Sequence, residues 1–442
     1  MNPTVALYNL GWRLSGPLLP IAGLFSPKLA RAVAGRSEAV SRFRAWAGSE
    51  RSGADRPPLL MLHGASAGEL TGAIPVVAEL RLKIPNLQVV VTYSSPSGED
   101  VADDIRPETH WFVPFDRPDH ASAVLEALSP DALVFAKLDV WPTLTDQAAR
   151  RGVPVGLINA TVRPGSGRLR FPGQWLLRSA YGQLRAVGAV SEEERERLLR
   201  LGVAPSAIRV TGDASFDQAI RRVRTAEHRP RRLPEPAAGT VRLIAGSTWP
   251  ADEDYLLDAV TRAPDIELIL VPHEPGPESV ARLAGQVEDR FHSPARLWSR
   301  LASENGGSQA RTPLIIDAVG LLAELYREAD VAYVGGGLDG TGLHSVIEPA
   351  AAGLPVLFGP RHDRWEAREL VFAGGAMELD PSDAAAVFLL RDRDRRVSMG
   401  AAARAYVEGK AGAARAGADL VAGLMGRSVH GSEPAGAVTD SN

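Results

Sequence analysis

Two short loops hold the residue types that chemistry needs. Residues 63–69 read HGASAGE, small residues followed by a carboxylate where a helix should begin. Small side chains let a backbone approach a ligand closely, and helix-initial amides attract anions. Glu69 could act there as a general base, or could simply favour the positive end of the helix dipole. Residues 335–349 read GGGLDGTGLHSVIEP, with five glycines, His344 and Glu348. That composition suits a nucleotide: amides for phosphate, a carboxylate for ribose hydroxyls and an imidazole for either. A flexible glycine turn is the plainer alternative. The strict GxGxxG spacing and the GK[ST] ending are both missing, so neither the dinucleotide nor the Walker fingerprint applies.

Two further loops flank the glycine-rich one. GSTW at 246–249 offers the hydroxyls and amides of Ser247 and Thr248 to a phosphate, or to ordinary helix capping. PHEP at 272–275 supplies His273 for a phosphate or a base edge. The neighbouring carboxylates Asp252, Glu253 and Asp254 read as a solvated first helical turn.

These loops need strands to hold them. Short apolar runs occur at 58–63, 88–92, 132–136, 153–159, 185–190 and 208–212, and most are separated by enough chain for a helix. The rhythm stops at 219–239, a charged, proline-bearing stretch that reads as a linker. It restarts with runs at 241–247, 266–272, 314–318, 331–336 and 355–359. Such βα alternation predicts an α/β chain of two Rossmann-like halves with parallel sheets, ligands lying beyond the carboxyl ends of the strands. The expected boundaries are 1–56 as an N-terminal segment, 57–218 as the first domain and 240–425 as the second with its closing helices. Residues 426–442 are expected to be a disordered tail.

Composition narrows the function classes. The chain has 442 residues, 45% apolar, 23% charged and without cysteine, which excludes disulfide scaffolds, thiol catalysis and zinc–thiolate sites. The net charge is −4, yet residues 1–56 carry eight Lys/Arg against three Asp/Glu. An acidic body argues against nucleic-acid binding, while a basic front permits an anionic membrane surface. Residues 1–25 are apolar but broken by Pro17, Pro20 and glycines, too interrupted for a spanning helix. With the basic, amphipathic 26–46 they form either a membrane-associating segment or a helical pair packed on the first domain.

Eleven pieces, in order, resemble the 3-deoxy-D-manno-octulosonic acid (Kdo) transferases: HGASAGE, TYSSPSGED, VPFD, LDVWPTL, INATVR, VTGDASFD, AGSTWPADED, VPHEP, IIDAVGLLAELY, YVGGGLDGTGLHSVIEPAAAGLPVLFGP and RWEA. The resemblance covers roughly residues 57–380. It implies a GT-B glycosyltransferase, two Rossmann-like domains facing a central cleft, that moves Kdo from CMP-Kdo to a lipid A precursor (lipid IVA) with inversion and without a metal or cofactor. The general base then falls on Glu69. The CMP-contacting positions fall on Pro272, His273 and Glu274, on Val319, Gly320 and Leu321, on Gly342, Leu343, His344 and Ser345, and on Glu348 at the ribose. The implied location is the cytoplasmic face of the bacterial inner membrane.

The chain departs from the family's pattern at Lys137–Trp141, at Ser215 where a basic residue is usual, at Ser345 where asparagine is usual, and at His273, one place early. Lys137 or Arg163 could supply the charge that Ser215 lacks. Another nucleotide-sugar enzyme of the same fold, a different transferase or an epimerase, and a noncatalytic nucleotide-binding membrane scaffold are the competing readings.

Overall fold

The computed structural model describes residues 3–15, 26–53, 56–301, 311–380 and 391–427. The expected disordered tail falls almost wholly outside these residues, as does 16–25 of the front segment. The chain forms two compact units, residues 1–218 with 412–442, and residues 219–411.

The first unit is built on a seven-stranded parallel sheet: β1 (Leu59–His63), β2 (Gln88–Tyr93), β3 (Thr109–Phe112), β4 (Ala132–Ala136), β5 (Val155–Ala160), β6 (Ala186–Ala189) and β7 (Ile208–Val210), in the order β3-β2-β1-β4-β5-β6-β7. The second is another seven-stranded parallel sheet: β8 (Val241–Thr248), β9 (Ile266–Pro272), β10 (Arg296–Leu297), β11 (Leu314–Ile315), β12 (Val331–Val334), β13 (Val356–Phe358) and β14 (Ala376–Glu378). Their order is β10-β11-β9-β8-β12-β13-β14. The central strands are buried on both faces, which is why they read as unbroken apolar runs rather than alternating ones. In each sheet the chain runs outward from one central strand, β1 or β8, then returns to that strand's other side with β4 or β12. Such reversals open a crevice at the carboxyl ends of the strands.

Three expected boundaries need correcting. The front segment is not a free-standing element: the helix Pro27–Glu50 belongs to the first unit. It starts on Ser26, whose Oγ accepts from the Leu29 N–H at 3.4 Å, and it buries Ala32, Gly35, Ala39, Phe43 and Ala47 at helical spacing. Phe43, Ala39 and Ala47 join the core formed by β1, β4 and β5. At Gly35 the helix touches the sheet so closely that a methyl group would lie 2.2 Å from Phe112. The helical pair packed on the first domain is therefore the reading that holds for Pro27–Glu50, whose apolar stripe has a core to enter.

The stretch 219–239 is not a bare linker. Residues 215–227 form the helix Ser215–Glu227, within which the boundary falls. The rest is tied to the second unit by buried Leu233 and by Glu324, which receives both Arg229 and Arg232. The last helix, Ala413–Leu424, returns to the first unit instead of closing the second. Its small face of Ala414, Gly417, Ala418 and Val421 enters the first unit's core, with Gly417 against Val76. Asp217 accepts from the N–H groups of Gly412 (2.8 Å) and Ala414 (3.1 Å) and so caps this helix. Among the described residues no helix is long and apolar enough to cross a membrane.

Candidate active site

In the first unit, β1 ends at His63 and β4 at Ala136, the two strands at the reversal. A short loop follows β1, and Ser66 O accepts from the N–H of Glu69 and of Leu70, each at 3.1 Å, to start the helix Ala67–Leu70. The loop is anchored from β2's end: Ser94 N and Ser95 N both donate to Ala65 O, at 3.2 and 2.8 Å. The Ala65 N–H in turn donates to Glu69 Oε2 at 2.6 Å. The carboxyl group is thus held in one orientation by the loop that precedes it. Burial pushes its pKa from the ordinary 4.5 to about 6; the Ala65 amide, Lys137 and Arg168 oppose this, and Asp139 reinforces it.

Lys137 follows β4 in the left-handed region (φ 62°), pinned by its N–H to Ile158 O at 2.8 Å and its carbonyl from Thr161 N at 3.2 Å. Arg168 Nη2 donates to Asp139 Oδ1 at 2.5 Å, and the Tyr181 hydroxyl donates to Leu138 O at 2.8 Å. Glu69 therefore sits in a field set by Lys137, Asp139 and Arg168. Arg163 stands exposed on the loop after β5, and the second cation beside Glu69 is Arg168. No local pattern marks Arg168; only folding of the loop after β5 brings it to Asp139. Ser215 lies beside the start of the helix Ala73–Lys83, where a methyl on Gly72 would stand 3.4 Å from its Oγ and 2.8 Å from buried Asn159 Nδ2.

In the second unit the loops after β8, β9 and β12 meet at the other reversal. Trp249, His273 and His344 form a stack: ring centroids are 4.9 Å apart for Trp249 and His273, and 4.3 Å for His273 and His344. Trp249 Nε1 donates to His344 Nε2 at 3.3 Å. Burial, then the neighbouring His273 and Arg364, lower the His344 pKa from 6.5 to about 4. The glycine-rich loop folds on itself, with Gly342 N and His344 N donating to Gly336 O and Gly335 O, each at 3.1 Å. Gly336 has φ 93°, and a methyl there would fall 2.1 Å from Gly342 O, so this turn requires glycine.

Asp252 and Glu253 are not a solvated turn: each is 1% exposed. Asp252 Oδ1 accepts from the Tyr333 hydroxyl (2.6 Å), and Oδ2 accepts from Trp249 N and Gly336 N (2.9 Å each). One carboxylate thereby joins β12, the glycine loop and the helix Pro250–Thr261. Glu253 pairs with Arg282 at 2.5 Å and accepts from Thr248 Oγ1 at 3.1 Å. The two acids are buried because the glycine loop and the helix Pro277–Phe291 supply donors that the sequence sets at distant positions. Asp254 alone keeps surface character, paired with Arg290.

Of the other expected nucleotide contacts, Ser247 (φ 54°) and Thr248 end β8, and Pro272 and Glu274 flank His273 after β9. Val319 is prominently exposed, and with Gly320 and Leu321 it follows β11 at the same sheet edge. Leu343 accepts through its carbonyl from Arg364, and Ser345 Oγ accepts from Ile347 N. Glu348 is held by Arg222 at 2.5 Å. Among the described residues no three His, Asp or Glu side chains group so as to hold a metal ion.

Residues 38–218 match the family model described as 3-deoxy-D-manno-octulosonic-acid transferase (kdotransferase). The chain is 27% identical over 433 residues to the 3-deoxy-D-manno-octulosonic acid transferase of Bordetella pertussis, covering 92% of this chain and 97% of that one. It is 28% identical to the Chlamydophila psittaci enzyme of the same name, over 77% and 79% of the two chains. Solved structures share the fold: UDP-GlcNAc 2-epimerase from Neisseria meningitidis (TM-score 0.57, 14% identity, 83% and 99% coverage) and a glycosyltransferase from Rickettsia africae (TM-score 0.52, 11% identity, 85% and 100% coverage). The likeness to the epimerase is one of fold alone. The architecture is GT-B.

Proposed function

We propose that the chain is a Kdo transferase that moves Kdo from CMP-Kdo to a lipid A precursor (lipid IVA), with Glu69 as the general base, a reading supported by its similarity to a curated Kdo transferase over 92% of its length. The observation that carries this reading is the placement of Glu69: a carboxyl fixed by the Ala65 amide, at the carboxyl end of β1, its pKa raised to about 6. A carboxylate in that range is ionised at neutral pH and basic enough to take a proton in the transition state. The acceptor hydroxyl oxygen attacks the anomeric carbon of Kdo while Glu69 removes the hydroxyl proton. The bond from that carbon to the phosphate oxygen breaks, and CMP leaves with the electron pair. Attack opposite the leaving group inverts the anomeric centre, and the reaction needs no metal or cofactor.

In the second unit, the stacked Trp249, His273 and His344, the hydroxyl of Ser247 and the glycine loop would take CMP, with Glu348 at the ribose. Lys137 and Arg168 would meet the negative charge of the Kdo carboxylate. An apolar acceptor and a membrane surface suit the first unit. The helix Pro3–Ser15 exposes Leu7 and Leu10, and the helix Gly173–Tyr181, packed against it, exposes Trp175 close after Phe171. Arg13 and Arg170 are exposed alongside, a combination that suits the anionic cytoplasmic face of a bacterial inner membrane.

The test is product analysis by mass spectrometry, with tetraacylated lipid A precursor and CMP-Kdo generated in place. Addition of Kdo by the wild type and its loss in Glu69→Ala is the expected result. No Kdo adduct from a folded, CMP-binding wild type would overturn the reading.

A further inference from the structure

The ring stack in the second unit contains a hydrogen bond with only one possible direction. An indole N–H can donate and cannot accept. Trp249 Nε1 lies 3.3 Å from His344 Nε2, so that nitrogen must hold its lone pair toward the indole. The proton of a neutral His344 is then on Nδ1. A second proton on Nε2 would set two N–H groups against each other, and would place a cation against His273 in the stack. The charged and titratable groups facing His344 are His273, from the loop after β9, and Arg364, ahead of the helix Trp365–Phe372. Both oppose a positive imidazole.

The indole is itself fixed. Its backbone N–H is bound by buried Asp252, which also holds Gly336 in the loop that carries His344. The His344 backbone N–H is tied to Gly335 O at 3.1 Å. Donor and acceptor are thus positioned by the same carboxylate.

We propose that Trp249 is a positioning residue that locks His344 as the neutral Nδ1–H tautomer, so that the site meets a nucleoside monophosphate with a fixed hydrogen-bond donor rather than a cation. This role rests on the reading of the second unit as the CMP-sugar site. It gives a physical purpose to the tryptophan of GSTW. The His344 donor itself then stays the same as pH crosses the ordinary histidine range.

The experiment uses full-length protein labelled with ¹⁵N-histidine. Two-bond ¹H–¹⁵N correlation spectra are recorded without ligand from pH 5 to 8, with His344→Asn to assign the signals. The expected wild-type spectrum shows protonated Nδ1, bare Nε2 and no titration over that range. Trp249→Phe keeps a ring in the stack and removes the donor. In it His344 should populate the Nε2–H tautomer and titrate at higher pH, and the Kd for CMP at pH 8 should rise about 5- to 10-fold, the loss of roughly one hydrogen bond. KM for the donor should rise with kcat nearly unchanged. A wild-type His344 protonated on Nε2, or an unchanged tautomer in Trp249→Phe, would overturn the lock. The wild-type spectrum decides even if the variant fails to fold. A locked tautomer in a protein without CMP affinity would instead sink the donor-site reading, and with it the role given to the lock.

Discussion

Replacing Glu69 by Gln should slow transfer sharply and make the protein more stable. The carboxyl of Glu69 titrates near 6 in the folded chain against an ordinary 4.5. A displacement of about 1.5 units corresponds to about 2 kcal/mol of disfavour for the charged form. The sign follows from proton binding. Between pH 4.5 and 6 the folded state holds more proton than the unfolded one, so stability falls as pH rises through that window. Below it the destabilisation is absent, and above it the full ~2 kcal/mol is present. Glutamine keeps an oxygen for the Ala65 N–H and cannot ionise. Thermal or urea unfolding of wild type and Glu69→Gln should therefore coincide near pH 4. At pH 8 they should differ by about 2 kcal/mol, or roughly 4–8 °C, in favour of the variant. Transfer should fall by roughly 10²–10⁴-fold. Equal stability of the two proteins at pH 8 would refute the argument, because it would mean that the carboxylate is solvated like any surface acid.

Three further outcomes are expected. Gly336→Ala, with a positive φ and a methyl 2.1 Å from Gly342 O, should weaken CMP binding at least tenfold by calorimetry, while circular dichroism shows a folded chain. Phe43→Ala should cost about 3–5 kcal/mol in urea unfolding, because the helix Pro27–Glu50 is part of the first core; a cost below about 1 kcal/mol would make that helix an appendage. The combined replacement of Leu7, Leu10, Phe171 and Trp175 by serine should reduce flotation with anionic vesicles and leave CMP affinity unchanged, and undiminished flotation would remove this face from the membrane role.

Legibility in the sequence followed burial. Central strands such as Leu59–His63 and Ala132–Ala136 are covered on both faces, so their apolar runs stand out. The three strands that no run announced, Thr109–Phe112, Arg296–Leu297 and Ala376–Glu378, all lie at sheet edges. Edge strands are short and pair on one side only, so none of these three carries an unbroken apolar run long enough to stand out. The final helix was legible as a helix but not as part of the first unit, because its alanine and glycine face would suit either core. At the site, Glu69, His273 and His344 were marked by loop composition. Asp252 was misread as solvated because its partners, Tyr333 and Gly336, lie some eighty residues away along the chain. Arg168 was invisible for the same reason. Its role depends on a loop that reaches Asp139 only in the folded unit.

The central claim, that Glu69 takes the acceptor proton, is tested most directly by a single-turnover reaction. Wild type and Glu69→Gln are each loaded with CMP-Kdo, mixed with lipid A precursor, and followed by CMP release and Kdo adduct from pH 5 to 8. The account predicts equal donor loading, a wild-type rate that climbs as pH rises through about 6 and then levels, and a slow, pH-independent variant. A Glu69→Gln protein that transfers Kdo at the wild-type rate, or a wild-type rate flat across pH 6, would contradict it.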